Sequence, residues 1–403
     1  MRVDTCRGKL QRPWLVLISA WFMGFAMYAP MLCVPPMEHI IKAELLLSHA
    51  QVSVIFSAPV IALAALALPS GALADRIGLR KEGGIGIITV IVGSLLRGTS
   101  TDFVTLVVFT CLYGAGFAMI FPILPKLVGS WFPPEKIGLA TGIYTTGIIA
   151  GCALPQAITL SVVFPVTNTF QGTFYIWTIP AIAAAILWWI LVKEPLSSRA
   201  QHKNMVEGNK PSSSLWANKP LWLIVILFFL LNFISYTLLG WTPQLMMMKG
   251  ASPDLAALMS SFIMWVCLPT VLIVPWASAK VGLTKPFLWV SFMVLACMSL
   301  SAIYIPLSLG WFVTSLIGIA IGVLFSLILT LIPRLVPSQD VGKASGMVLS
   351  IAYIGGFVGP LIAGHIMDVT GTLKPDLIIL ISMAAVGTYF AIRLPKTGSG
   401  ARA

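Results

Sequence analysis

Gly71-Ala-Leu-Ala-Asp75-Arg76-Ile77-Gly78-Leu79-Arg80-Lys81 is a short polar turn between two apolar runs, and the second half of the chain repeats it. Pro275-Trp-Ala-Ser-Ala279-Lys280-Val281-Gly282-Leu283-Thr284-Lys285 aligns with it at an offset of 204 residues. That offset pairs Gly78 with Gly282, Arg76 with Lys280 and Lys81 with Lys285. It also pairs Gly138-Leu-Ala-Thr-Gly142 with Gly342-Lys-Ala-Ser-Gly346. Two matches at one offset, both between apolar runs, point to an internal duplication and hence to two halves of one architecture.

The surrounding composition sets the solvent. Hydrophobic residues make up 58% of the 403 and charged residues only 9%, against roughly a quarter charged in a soluble domain. Within hydrocarbon each backbone polar group must find its partner inside the segment, which restricts spanning structure to helices or closed barrels. The apolar runs are about 20 residues long and lack strand alternation, so they are read as spanning helices. Twelve are expected, near 14–34, 52–69, 83–97, 103–125, 137–160 and 174–192, then 221–241, 255–277, 286–305, 311–332, 344–367 and 377–392. The expected fold is thus all-α, twelve transmembrane helices in two pseudo-symmetric six-helix bundles. The bundles are assigned to 1–193 and 220–403, joined by a polar cytoplasmic linker at 194–219.

Charge gives an orientation. With the N-terminus inside, 21 of the 25 Lys and Arg fall on the cytoplasmic side, leaving only Lys42, Arg97, Lys249 and Lys374 outside. Positively charged loops remain cytoplasmic, so a multi-pass protein of the cell membrane with both termini inside is expected. The net charge of +12 then reports topology, and no nucleic-acid partner is expected. The six cysteines lack disulfide or metal-ligand spacing. No cofactor or metal is expected, nor any catalytic residue.

The turn at Gly71–Lys81 resembles the signature loop of the major facilitator superfamily. That resemblance implies secondary transport by alternating access. It also implies that Gly71, Asp75, Arg76, Gly78, Arg80 and Lys81 form a latch on the cytoplasmic side. On physical grounds Gly71 permits close helix contact, Asp75 suits a helix N-terminal end, and the basic residues suit Asp75 or anionic lipid headgroups. Gly147, Gly151 and Pro155 partly resemble the superfamily's antiporter motif, and Gly355, Gly359 and Pro360 echo them. Small residues at such spacing serve helix packing equally well. Tyr236–Leu245, Lys249–Pro253 and Ser130–Ala140 resemble the cyanate permease and nitroimidazole transporter branch.

The span interiors contain no Asp, Glu, Lys, Arg or His away from their ends. Nitrate porters, which resemble this chain in their loops, hold anions with arginines in helices 2 and 8, and neither helix has one here. A small organic solute or small monoanion is the expected substrate, with little coupling to protons. Tyr28, Tyr113, Tyr144, Gln156, Asn232, Tyr236 and Tyr353 are the candidate binding residues, because polar groups in hydrocarbon seek partners. The alternatives are an exporter of lipophilic compounds, or a membrane sensor on the same scaffold. A monomer is expected.

Overall fold

The computed structural model describes residues 3–193, 215–281, 284–336 and 340–394, and the side chains among them except those of 3–12, 75, 134, 279 and 334. The chain divides into two compact units, Met1–Lys210 and Pro211–Ala403. The first holds the long helices α1 (Val3–Leu32), α2 (His49–Ile77), α3 (Leu79–Arg97), α4 (Phe103–Ile120), α5 (Pro134–Ile158) and α6 (Phe170–Leu191). The second holds α7 (Lys219–Met248), α8 (Pro253–Val281), α9 (Thr284–Tyr304), α10 (Gly310–Leu335), α11 (Val341–Thr370) and α12 (Lys374–Arg393).

Among the described residues, eleven helical segments are long and apolar enough to cross a membrane. The helix outside that set is α3, whose 19 residues carry Arg80, Lys81, Glu82 and Arg97. Helix α6 shows what a spanning helix looks like in detail. Phe170, Phe174, Trp177, Ala181, Ala184 and Trp188 form its buried stripe, at the spacing of one helical face. Ile179, Ile182, Ile186 and Ile190 form a second, exposed stripe that is just as apolar. A helix apolar on all sides suits a protein whose exterior meets lipid.

The two units repeat one packing scheme. In the first, α1 packs on α5 and α6, α2 on α4, and α3 on α4 and α6. In the second, α7 packs on α11 and α12, α8 on α10, and α9 on α10 and α12. Lipid supplies no hydrophobic drive for these contacts, so close fit and small residues must supply it. Where α5 meets α1, a Cβ on Gly151 would lie 2.4 Å from the Phe25 carbonyl oxygen. Where α11 meets α7, a Cβ on Gly359 would lie 2.6 Å from that of Phe233.

Several helix ends differ from the spans expected from hydropathy. The run at 103–125 breaks after Ile120, and Ile123–Trp131 forms a separate short helix. Pro122 lacks the N–H that would continue the ladder. Beyond α5 the chain passes through a π-helical turn, Thr159–Val163. Asn218 caps α7 by accepting from the Leu221 N–H at 3.1 Å, and its Nδ2 donates to the Leu335 carbonyl at 3.2 Å. Helix α7 therefore begins at Lys219, which the sequence reading had placed in the linker. Residues 194–214, most of that linker, lie outside the described residues.

Candidate functional site

Each unit gathers its own polar and aromatic cluster. In the second, Phe228, Asn232 and Tyr236 fall on one stripe of α7, being four residues apart. Tyr353 of α11 meets the ring of Phe228 at 6.0 Å and that of Tyr236 at 6.2 Å, both nearly edge to face. Asn232 Nδ2 donates to the Phe228 carbonyl at 2.7 Å, so part of its amide is already satisfied within its own helix. Nearby, Trp241 Nε1 donates to the Pro360 carbonyl at 3.1 Å, which joins α7 to the proline of α11.

In the first unit, Tyr28 of α1 packs edge to face on Phe117 of α4 at 4.9 Å. Tyr113, one turn before Phe117, donates its hydroxyl to the Met27 carbonyl. Tyr144 and Gln156, on α5, are both buried. The candidates named from sequence therefore form separate groups. Tyr28 and Tyr113 share the α1–α4 cluster, and Asn232, Tyr236 and Tyr353 share the α7–α11 cluster. Gly147 packs on the Trp21 backbone and Gly355 on that of Phe229, while Pro155 lies within α5.

The most consequential side chain in the first unit was placed by sequence only at a helix end. Arg97 closes α3 and is fully buried. Its Nη1 donates to the Pro30 carbonyl at 2.6 Å, near the C-terminus of α1, where a cation suits the helix dipole. Its guanidinium lies 4.0 Å from the Phe174 ring centroid and 5.5 Å from that of Tyr113. Nε and Nη2 have no hydrogen-bond partner among the described residues. Two aromatic faces offset part of the charge, at about 0.5–2 kcal/mol each. They offer no acceptor in the guanidinium plane, and an uncompensated buried charge costs several kcal/mol. The sequence did carry a signal: Arg97 is one of only four basic residues assigned to the outer side.

The turn at Gly71–Lys81 is tied down within its own unit. Gly78 adopts φ 92° and ψ 151° between α2 and α3. Lys126 Nζ donates to the Gly71 carbonyl at 2.9 Å. Arg80 Nη2 donates to the Trp189 carbonyl at 2.9 Å, and Trp188 Nε1 donates to that of Arg80 at 2.9 Å. Arg80 thus grips the end of α6. Arg76 and Lys81 are exposed, and the Asp75 side chain lies outside the described residues. Sequence reasoning missed Glu82, fully buried one turn into α3, with Ser70 Oγ donating to its Oε1 at 2.7 Å. An acid in the first turn of a helix is the available clue.

A second missed group lies between α1 and α2. His49 Nδ1 is 2.6 Å from Glu38 Oε1, and Lys42 Nζ is 2.6 Å from His49 Nε2. His365 and Asp368, by contrast, are exposed on α11.

Two six-helix units of one packing scheme, apolar on their exteriors, define a multi-pass membrane protein of transporter architecture. The chain belongs to the Major Facilitator Superfamily, whose sequence profile matches residues 16–360 and 249–400, so it is a membrane transporter and not an enzyme. It is 26% identical to an uncharacterized transporter, YycB, of Bacillus subtilis, over 94% of this chain and 92% of that one. A hexuronate transporter of the same organism is 24% identical, with 88% of each chain covered. A 2-nitroimidazole transporter of Escherichia coli is 23% identical over 89% of each, in keeping with the branch that the loop sequences resemble. Among solved structures, a D-xylose-proton symporter superposes with a TM-score of 0.80 at 15% identity, covering 96% of this chain and 99% of that one.

Proposed function

We propose that the protein is a secondary transporter of a small organic monoanion, working by alternating access. The supporting observation is Arg97, a fully buried guanidinium with Nε and Nη2 unpartnered among the described residues. A carboxylate fits that pair of donors, because it accepts two parallel N–H bonds from an arginine fork. The relatives' names alone leave the class open, since a hexuronate carries a carboxylate and a 2-nitroimidazole does not. This chain's own unpaired charge favours the acid. On this reading Tyr113, whose ring lies 5.5 Å from the Arg97 guanidinium, flanks the anion, and Tyr28, Tyr144 and Gln156 of the first unit and Asn232, Tyr236 and Tyr353 of the second are further candidate substrate contacts, each within its own unit.

Further assignments belong to the same proposal. The protein resides in the cell membrane as a monomer with both termini cytoplasmic, in contact with anionic headgroups through Arg76 and Lys81. The turn at Gly71–Lys81 steadies the cytoplasmic side. Gly147, Gly151, Pro155, Gly355, Gly359 and Pro360 serve helix packing. Residues 194–219 link two separate domains, 1–193 and 220–403.

Uptake into proteoliposomes tests the substrate class, with a panel of small carboxylates and neutral solutes. Arg97→Lys keeps a cation able to reach the Pro30 carbonyl but loses the planar fork. It is expected to raise the KM for a transported carboxylate about tenfold, equivalent to about 1.4 kcal/mol, and to leave neutral solutes untouched. Transport confined to neutral solutes, and indifferent to Arg97→Lys, would falsify the monoanion reading.

A further inference from the structure

The connection between α1 and α2 carries a charged group that the substrate reading does not use. Helix α1 is followed by Pro35–Met37 and then by the short helix Glu38–Glu44. Met37, Ile41 and Leu47 are buried along it. Ser48 then caps α2 reciprocally. Its Oγ accepts from the Gln51 N–H at 3.2 Å, and its own N–H donates to Gln51 Oε1 at 2.8 Å. His49 is thereby held at the start of a capped helix, with its ring between Lys42 and Glu38.

The two contacts of that ring, 2.6 Å each, do not respond alike to a proton. An ammonium only donates, so Nε2 accepts from Lys42, and Nδ1 carries the hydrogen that Glu38 accepts. A further proton has one place to go, Nε2. An imidazolium donates from both nitrogens, and two cationic donors cannot share the Lys42 contact. The Glu38 contact becomes a charge-assisted ion pair and holds. Lys42 is the partner able to swing away, since it is half-buried on a flexible stem whereas Glu38 is buried.

Few other ionisable groups face this end. The short helix packs on α2 and on Pro35–Met37. Helix α2 has no charged residue after His49 until Asp75, and Pro35–Met37 has none. The short helix itself adds His39, half-buried, and Glu44, exposed. Around the same end of α2, Arg97 donates to the Pro30 carbonyl at 2.6 Å and the Cys33 thiol to that same carbonyl at 3.4 Å. Asp102 is exposed and accepts from the Thr105 N–H at 3.0 Å.

We propose that Lys42, His49 and Glu38 form a proton-operated clasp on the α1–α2 connection. Neutral His49 holds both neighbours. Protonated His49 keeps Glu38 and releases Lys42, so acid loosens the bend between the short helix and α2. On the proposed topology the clasp faces the outer side, and the connection responds to acidity there. It goes beyond the monoanion proposal, and its test requires no transport.

Amide hydrogen exchange of the purified full-length protein in detergent provides the readout, corrected for intrinsic rates. It is compared at about pH 8 and about pH 5, the range in which histidine changes charge. The amides that report are those of Leu45, which donates to the Ile41 carbonyl at 3.1 Å, and Leu47, which donates to that of Lys42 at 3.0 Å. Their protection is expected to fall about tenfold at the lower pH, as local opening becomes easier. Lys42→Met is expected to show the low protection at both pH values, and His39→Gln to keep the response. Equal protection at the two pH values in the unaltered protein would overturn the proposal. So would a response that survives in Lys42→Met or in His49→Phe, or one that is lost in His39→Gln. A fall spread evenly over the first unit would overturn it too, because acid would then act on the whole fold. If His49→Phe does not fold, Lys42→Met decides. The Arg97 proposal is judged separately, by solute uptake.

Discussion

His49 stands between a lysine and a glutamate, and the hydrogen-bond inventory fixes its state. A lysine ammonium only donates, so Nε2 of His49 accepts from Lys42 and the ring proton lies on Nδ1. That proton is then donated to Glu38 Oε1 at 2.6 Å. Glu38 is 5% exposed, and the bridge joins the short helix Glu38–Glu44 to the first residue of α2. His49→Phe keeps the bulk and removes both hydrogen bonds, leaving a buried carboxylate oxygen without this donor. The expected cost is about 1–3 kcal/mol, read as a lower thermal midpoint. A midpoint equal to that of the unaltered protein would show that the bridge contributes nothing. No periodic pattern announced this group. Lys42 and His49 are seven residues apart across a bend where Leu46 adopts φ 52°, and only the bend brings them together. Arg97 illustrates the same limit: its side of the membrane was legible from charge, but its burial depends on Pro30 and Phe174, which lie far off in sequence.

Elements were more legible than residues, because an apolar run of spanning length leaves the backbone only the helix. Their interruptions were less so. Pro30, Pro59, Pro69, Pro155 and Pro180 all lie inside helices, whereas the chain breaks at Pro122, and hydropathy does not distinguish them. In membrane helices, neighbouring groups can satisfy the carbonyls that proline frees, so proline marks a break only where tertiary contacts let it. Gly78 is a case where one residue type decides an element boundary. Its φ of 92° and ψ of 151° fall in a region that is essentially glycine-only, at a cost of about 1–3 kcal/mol for other residues. Gly78→Ala is therefore expected to destabilise the α2–α3 turn by about that amount. Thermal unfolding would register it, and amide hydrogen exchange would quicken first around Leu79–Glu82. Uniform exchange across the first unit would place the strain elsewhere. Gly282, its partner in the repeat, lies outside the described residues.

At the scale of the whole molecule, the repeat seen in two loop sequences reappears as packing. The contacts of α1 with α5 and α6 correspond to those of α7 with α11 and α12, and α2 with α4 to α8 with α10. The contacts named for each half close within that half, and the two units part between Lys210 and Pro211. A six-helix unit with its own contacts has the means to fold by itself. On the proposed topology, six spans in each half return the chain to the side it started from. The polar composition of 194–219, with four Lys and Arg residues, favours that side being the cytoplasm. Two polypeptides, 1–203 and 204–403, expressed together are therefore expected to restore carboxylate uptake to roughly the level of the intact chain, allowing for their lower assembly. Each alone should insert and give no uptake, because alternating access, as proposed, requires both halves. Uptake by the first half alone would remove the second from substrate recognition. Failure of the two halves to complement, with both present in the membrane, would show that they need a covalent linker to fold or assemble.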